Sequence, residues 1–187
     1  MFICAGESES FDFAKSMGIG MVDMAMNLSR YLENEKPPFL MFIGTAGSYG
    51  IHHTFDIIHS KTATNIENSF FNAKAYTPID NMISAYEGIV NTTSLFNTSN
   101  VSRETIVNSS NYITTDSRLS KYYLENGISL ENMEFFAVLR VAKEFNIPVS
   151  GVFIVTNYCN KNAHRDFITN HKEAIARLSA YIKEPMN

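Results

Sequence analysis

Four short segments of the chain carry residue types that could bind and cleave a small polar ligand. They are Gly18-Ile19-Gly20, Gly44-Thr45-Ala46-Gly47-Ser48, Asn132-Met133-Glu134 and Val155-Thr156-Asn157. Each stands where a predicted strand ends or a helix begins, and ligands of open α/β sheets bind at that edge of the sheet. Each segment alone is a weak signal, so it is their order along the chain that indicates a binding site.

The two glycine-containing segments could hold an anion. Gly18 and Gly20 would leave backbone amides free at the start of a helix, where phosphate groups commonly bind. Thr45 adds a hydroxyl that could hold a phosphate or a ribose hydroxyl. A tight turn that needs small residues explains both segments as well, so both interpretations stay open at this point.

The other two segments each offer one polar side chain of distinct chemistry. The carboxylate of Glu134 could accept hydrogen bonds from two vicinal sugar hydroxyls, or it could simply favour the positive end of a helix. The amide of Asn157 both donates and accepts, so it could bind a purine edge and stabilise charge on a leaving base. A turn at the end of a strand is the alternative for this asparagine.

The elements that must position these segments follow an α/β pattern, because short apolar runs alternate with helical periodicity. Phe11–Ala14 and Phe39–Ile43 are predicted to be buried strands. Apolar residues at helical spacing predict a helix over roughly residues 20–34. Thr54–Thr64 is predicted to contain one or two further strands.

The second half of the chain continues the alternation. A polar stretch contains two strand-like pieces, Gly88–Asn91 and Thr105–Asn108. Apolar residues from Phe135 to Phe145 mark a helix, and Val149–Thr156 is a continuous apolar run typical of a central parallel strand. Apolar positions between Ile168 and Ile182 predict a C-terminal helix with a polar outer face.

Composition limits the class of protein. The chain has 187 residues, 45% of them hydrophobic and 18% charged, which suffices for one core, so we expect a single domain over residues 1–187. A formal charge of -4 argues against a broad nucleic-acid-binding face. The sequence shows no signal peptide and no membrane span, and Cys4 and Cys159 lack metal-spaced partners. We therefore expect a cytoplasmic protein with no disulfide, no metal and no membrane or nucleic-acid partner.

Five pieces match, in order, the motifs of one enzyme family. Its Gly-Ile-Gly turn is matched by Gly18-Ile19-Gly20, its Gly-Ser/Thr-Ala/Cys-Gly loop by Gly44-Thr45-Ala46-Gly47, and its Val-Gly-Asp-Ile-Val segment by Thr54-Phe55-Asp56-Ile57-Ile58. Its Met-Glu pair before a helix is matched by Met133-Glu134, and its last strand end by Thr156-Asn157. The chain thus resembles the purine nucleoside and uridine phosphorylase family, which also contains the methylthioadenosine/adenosylhomocysteine nucleosidases.

The resemblance implies a three-layer fold, with a central mixed β-sheet flanked by helices. It also implies cleavage of the N-glycosidic bond of a ribonucleoside, through a ribosyl cation-like state attacked by phosphate or water. Glu134 would then hold the ribose hydroxyls, and Met133 would pack beneath the sugar. Thr45 would lie at the phosphate or nucleophile site, near Gly18 and Gly20.

The resemblance further implies how the base is held. A ring from Ser110–Ile113 would lie against the base, with Tyr112 as the expected residue, and Asn157 would address the base edge. An asparagine can hydrogen-bond both N7 and O6 but cannot protonate N7 as an acid would. We therefore expect 6-oxopurine nucleosides, such as inosine or guanosine, to be preferred over adenosine.

Two departures from the family concern the nucleophile. The family usually begins with an extra strand and loop that carry a phosphate contact or a water-activating glutamate, and this chain is expected to start after them. The hexameric phosphorylases place an arginine three residues before the loop hydroxyl, where this chain has Phe42. His52 or His53 could activate the nucleophile instead, although a lone histidine is more often a surface or packing residue.

We therefore expect a purine nucleoside phosphorylase that uses inorganic phosphate as co-substrate, needs no cofactor and forms a homo-oligomer, a dimer or higher. The catalytic residues would be Asn157 and Glu134. Two alternatives remain open: a nucleosidase that uses water with the same ribose contacts, and a degenerate nucleoside-binding protein without turnover. Turnover needs an activated nucleophile, whereas binding needs only the sugar and base contacts.

Overall fold

Strands and helices alternate along the chain in the computed structural model, which describes residues 1–71, 73–85 and 105–183. The strands are β1 (Phe2–Cys4), β2 (Lys15–Ser16), β3 (Leu40–Ser48), β4 (Ile57–Ser60), β5 (Thr62–Thr64), β6 (Met82–Ser84), β7 (Ile106–Ser109), β8 (Ile128–Asn132) and β9 (Val149–Tyr158). The helices are α1 (Gly20–Asn34), α2 (Asn68–Phe71), α3 (Ser117–Glu125), α4 (Phe135–Glu144) and α5 (Ala163–Lys183).

The strands of these described parts form one mixed sheet centred on β3. Strand β9 runs parallel to β3 along its whole length and takes one of its edges, and β4 pairs antiparallel with β9. The other edge of β3 is shared: β1 pairs in parallel at Met41 and Phe42, and β8 pairs antiparallel at Gly47 and Ser48. Beyond β8 the order continues β7-β5-β6, and β2 lies outside β1. A short stretch of β3 around Thr45 is therefore left without a neighbouring strand on that edge.

Two hydrophobic layers cover the faces of this sheet, because successive side chains of a strand point to opposite sides. Phe42 of β3 and Phe153 of β9 pack with Phe135 of α4 and with the buried stripe of α1. The intervening residues, such as Ile43 and Ile154, pack on the other face under α5. The result is a helix–sheet–helix arrangement.

Most of the predicted elements are confirmed. Helix α1 has the predicted bounds, Phe39–Ile43 falls within β3 apart from its first residue, and Thr54–Thr64 contains β4 and β5. Thr105–Asn108 corresponds to β7, and α4, β9 and α5 match the last three predictions. Strands β2, β6 and β8 and helices α2 and α3 were not predicted. The piece Gly88–Asn91 lies outside the described residues.

The predicted strand Phe11–Ala14 is wrong, and the first strand of the chain is β1 instead. Phe11 and Phe13 lie in a turn, where their rings pack on each other and the Phe13 ring packs on Phe2, over the sheet face that α5 also covers. The apolar run therefore covers the sheet without joining its hydrogen-bond ladder. Among the described residues, no helix is both long and apolar enough to cross a membrane.

Candidate active site

A cavity of about 300 Å³ opens at the carboxyl ends of β3, β8 and β9. Its lining includes Glu9 from the loop after β1, Thr45 from β3, Glu131 from β8, Glu134 from the start of α4 and Asn157 from β9. Small-molecule sites typically occupy a few hundred Å³ and contain a few convergent polar groups, as this one does. The cavity is the candidate active site.

The unpaired stretch of β3 is completed by side chains. The backbone N–H of Thr45 donates to Oε2 of Glu9 at 3.0 Å, and the hydroxyl of Thr45 donates to Oε1 of the same carboxylate. The carbonyl of Thr45 accepts from Nδ2 of Asn132 at 3.1 Å. The backbone N–H of Thr45 has no partner on a neighbouring strand at this edge and bonds to Glu9 instead. This hydrogen bond fixes the Glu9 carboxylate in the cavity.

Gly44 makes room for this carboxylate. A Cβ at position 44 would lie 3.2 Å from Oε2 of Glu9 and 3.1 Å from the Phe42 ring, closer than nearly all real Cβ contacts. A larger residue here would require the Glu9 carboxylate or the Phe42 ring to shift by a few tenths of an ångström. The glycine before the hydroxyl residue therefore accommodates the close approach of the acid.

Glu134 is the second carboxylate of the site. Its side chain is 3% exposed, and Oε1 accepts the backbone N–H of Gly20 at 2.8 Å. Burial raises the pKa of Glu134 to about 7; the Gly20 hydrogen bond opposes this shift, and the nearby charge of Glu9 adds to it. The carboxylate therefore changes charge near neutral pH.

Asn132 links the two carboxylates. Its Oδ1 accepts the backbone N–H groups of Glu134 at 2.8 Å and Phe135 at 2.9 Å, which satisfies free donors at the start of α4. Its Nδ2 reaches the Thr45 carbonyl, as described above. One side chain thus fixes the spacing between the Thr45 strand and the Glu134 helix.

Asn157 lies at a β-bulge. Ala46 pairs with Val155 and Gly47 pairs with Asn157, so Thr156 is the extra residue. Bulges commonly redirect side chains near functional sites. Asn157 is 6% exposed; its Oδ1 accepts the Thr156 hydroxyl at 2.8 Å, and its Nδ2 donates to the carbonyl of Tyr158 at 3.2 Å.

The sequence model of the phosphorylase superfamily matches residues 12–185. The chain belongs to the phosphorylase superfamily. No curated protein matches it.

Several solved structures have the same fold as this chain. A mutant futalosine hydrolase of Helicobacter pylori superposes on this chain with a TM-score of 0.79 and a sequence identity of 14%. The match covers 97% of this chain and 95% of that chain. The 5′-methylthioadenosine/S-adenosylhomocysteine nucleosidase of S. pneumoniae with a transition-state inhibitor gives 0.74 at 15%, covering 97% and 94%. A mutant H. pylori MTAN with 5′-methylthioadenosine in its active site gives 0.74 at 16%, covering 91% and 77%. The expected three-layer phosphorylase/nucleosidase-like fold with a mixed sheet is confirmed.

The N-terminal segment of this superfamily member differs from the expectation drawn from its sequence. The chain does contain a strand and loop of the kind expected to be missing: β1 lies beside β3, and the loop after it delivers Glu9 to the cavity. The expectation of a missing segment was wrong because β1 has only three residues, Phe2–Cys4, and Glu9 lies in a polar loop. The only signal was an acid shortly after a short apolar run that ends in Ala5-Gly6.

Two backbone amides at the glycine turn are hydrogen-bonded to side chains of the protein. The amide of Gly20 donates to Glu134, and the amide of Met21 donates to Oδ1 of Asn111 at 3.2 Å. Gly18 and Gly20 adopt φ values of +109° and +78°, which favour glycine. Of the turn residues, Ile19 lines the cavity. A ligand-binding role for Gly18 and Gly20 stays a prediction.

Tyr112 and Met133 both line the cavity. Tyr112 is 79% exposed and follows β7 in the segment predicted to contact the base. His52 and His53 are not among the described lining residues: His52 lies 3.3 Å from the Ser129 hydroxyl, and His53 is exposed. The residues of α5 that line the cavity, among them His164 and Phe167, were not predicted.

Proposed function

We propose that this protein is a purine nucleosidase, which hydrolyses the N-glycosidic bond with water instead of phosphate. The charge of the cavity supports this proposal most directly. Among the described residues that line it there are three carboxylates, Glu9, Glu131 and Glu134, and neither lysine nor arginine. A phosphate anion would meet like charges without a fixed cation, whereas a water molecule needs a carboxylate to take its proton.

Glu9 is the group we assign to water activation. Its carboxylate is held by both donors of Thr45, so it faces the cavity in one orientation. A water hydrogen-bonded to Glu9 would form the new bond to C1′ while its proton passes to the carboxylate. The C1′–N9 bond breaks, and the base leaves with that electron pair.

Glu134 is the group we assign to the ribose. Its ionised form can accept hydrogen bonds from both vicinal hydroxyls, which are charge-assisted and therefore strong. Negative charge at this position also stabilises the ribosyl cation-like state, in a site where burial strengthens electrostatic effects. Met133, which lines the cavity next to it, would pack beneath the sugar.

Asn157 and Tyr112 are the groups we assign to the base. The amide of Asn157 would donate to N7 and so stabilise the charge that develops on the leaving purine. It suits a 6-oxopurine, because adenine presents a donor where the oxo group would stand. Tyr112 would lie against the base plane.

The names of the similar structures agree with a hydrolytic reaction. One is a futalosine hydrolase and two are 5′-methylthioadenosine/S-adenosylhomocysteine nucleosidases. Phosphorolysis, the main expectation from the sequence, has less support than the nucleosidase alternative. The expected homo-oligomer stays a prediction.

The deciding experiment is incubation with inosine in the presence and in the absence of phosphate. We expect hypoxanthine and free ribose at equal rates in both. Phosphate-dependent release of ribose 1-phosphate would mean phosphorolysis, and no release of base from inosine, adenosine, 5′-methylthioadenosine or futalosine would refute nucleosidase activity.

The assignment of Glu9 has a matched control two residues away. Glu9→Gln should lower kcat about 100-fold or more, as expected for loss of a general base. Glu7→Gln, at an exposed position of the same loop, should leave kcat unchanged. Equal effects of the two substitutions would remove Glu9 from the reaction.

A further inference from the structure

A further buried carboxylate, Glu131, lines the cavity but takes no part in the proposed chemistry. It is 6% exposed and accepts four hydrogen bonds. Oε1 accepts the N–H of Thr114 at 2.9 Å and the thiol of Cys159 at 3.8 Å. Oε2 accepts the hydroxyls of Thr114 at 2.5 Å and Tyr49 at 2.8 Å.

These hydrogen bonds compensate a charge that is otherwise unfavourable. Burial raises the pKa of Glu131, and within the parts of the chain that the structure describes no lysine or arginine forms an ion pair with it. A buried carboxylate without a cation destabilises a fold unless its oxygens are well hydrogen-bonded. The presence of Glu131 is therefore best explained by a role in holding in place the residues that donate hydrogen bonds to it.

The residues that most need positioning are those of the segment Ser110–Thr114, which we call the wall segment. Its central residues Tyr112 and Ile113 line the cavity yet are 79% and 53% exposed, so packing alone does little to hold them. The amide of its first residue donates to the carbonyl of Asn132 at 3.2 Å, and its last residue makes two hydrogen bonds to Glu131. Consecutive residues of β8 thus hold both ends of the wall segment.

We propose that Glu131 is a positioning residue that fixes the wall segment, and with it the ring of Tyr112, against the base side of the cavity. The kinetic part of this inference rests on the proposed nucleosidase function. Without Glu131 the last residue of the wall segment loses its anchor, and the ligand must order the segment on binding. Binding should weaken more than turnover, because Glu131 makes no hydrogen bond to Glu9 or Glu134.

The first test measures the anchor itself, without any substrate. In Glu131→Gln, one accepting oxygen becomes an amide donor that faces the donors of Thr114 and Tyr49. Hydrogen exchange of the Thr114 amide should become about tenfold faster or more. The matched control Glu125→Gln, an exposed glutamate at the end of α3, should leave this exchange rate unchanged.

The second test separates positioning from a general loss of stability. In Glu131→Gln the KM for inosine should rise about tenfold while kcat changes less than about threefold. Thr114→Val removes the hydroxyl donor but keeps the amide, and should raise KM about threefold. If Glu131→Gln does not fold, Thr114→Val alone decides, since an unchanged KM would overturn the proposal.

The two tests also distinguish this inference from the proposed function. Unchanged Thr114 exchange in Glu131→Gln, or a fall in kcat at constant KM, would overturn the positioning role. If the wild-type protein cleaves no nucleoside, the proposed function fails, while Thr114 exchange still decides whether Glu131 anchors the wall segment.

Discussion

Glu134 should set the pH dependence of the reaction. Its pKa lies near 7 because the carboxyl is buried, and the Glu9 charge adds to the shift. Only the ionised form can accept hydrogen bonds from both ribose hydroxyls. We therefore expect kcat/KM for inosine to rise about tenfold per pH unit below pH 7 and to level off above it.

The substitution Glu134→Gln gives the size of the effect. It keeps an oxygen for the Gly20 amide but removes the charge, which should cost about 2–4 kcal/mol across two hydrogen bonds. At pH 8 this is a loss of about 30- to 1000-fold in kcat/KM. The loss should shrink towards pH 5.5, where the wild-type carboxyl is mostly protonated, and the variant should show no inflection near pH 7.

The raised pKa of Glu134 also predicts that stability falls as pH rises, whereas kcat/KM rises. Between pH 4.5 and about 7 the folded protein keeps a proton on Glu134 that the unfolded chain has lost. The free energy of unfolding of the wild type should therefore fall as pH rises, by up to about 3 kcal/mol over this range. Glu134→Gln should lack this fall. The Tm of the variant minus the Tm of the wild type should therefore be larger at pH 8 than at pH 4.5.

His164 from α5 also lines the cavity and offers a matched substitution at a second polar position. His164→Gln is therefore the control, and it should retain the inflection in kcat/KM. An inflection that persists in Glu134→Gln and disappears in His164→Gln would refute the reasoning. So would a flat wild-type profile between pH 6 and 8.

Two further substitutions test the base side of the cavity. Asn157→Asp should shift preference from inosine towards adenosine by about tenfold to a hundredfold. A carboxylate accepts a hydrogen bond from the 6-amino group, and its acid form can protonate N7. Equal use of both nucleosides by the wild type would contradict this prediction. Gly47→Ala would place a Cβ 2.8 Å from Sγ of Cys159 and 3.1 Å from Nδ2 of Asn157, which should lower stability by about 1–3 kcal/mol and weaken inosine binding. A thermal melt and the KM for inosine check this, and an unchanged Tm would show that the bulge tolerates the extra carbon.

Local patterns in the sequence were enough for the long elements. The helical spacing of Met21, Ala25, Leu28 and Leu32 predicts α1, and the apolar run from Val149 predicts β9. These signals are reliable because each element buries a face through its own residues. The short strands are different: β1 and β6 have three residues each, too few for a pattern.

The same distinction applies to the site. The Met-Glu and Thr-Asn pairs stand out in the sequence because they lie next to recognisable elements. Glu9 does not stand out, since nothing near it in the chain separates it from Glu7, and only its pairing with Thr45, 36 residues away, gives it a place. Long-range pairing of this kind depends on strand order, which no local pattern encodes.

The sequence by itself determined the family, the long elements and the two polar residues at strand and helix ends, because these follow from residue type and spacing. The tertiary structure alone decided what these residues can do. Glu134 has a pKa near 7 because folding buries it and brings Glu9 close, while the hydrogen bond from the Gly20 amide, 114 residues away, limits the shift. Burial and distance between charges are properties of the assembled fold, so they exist only once β1, β3 and β8 lie side by side.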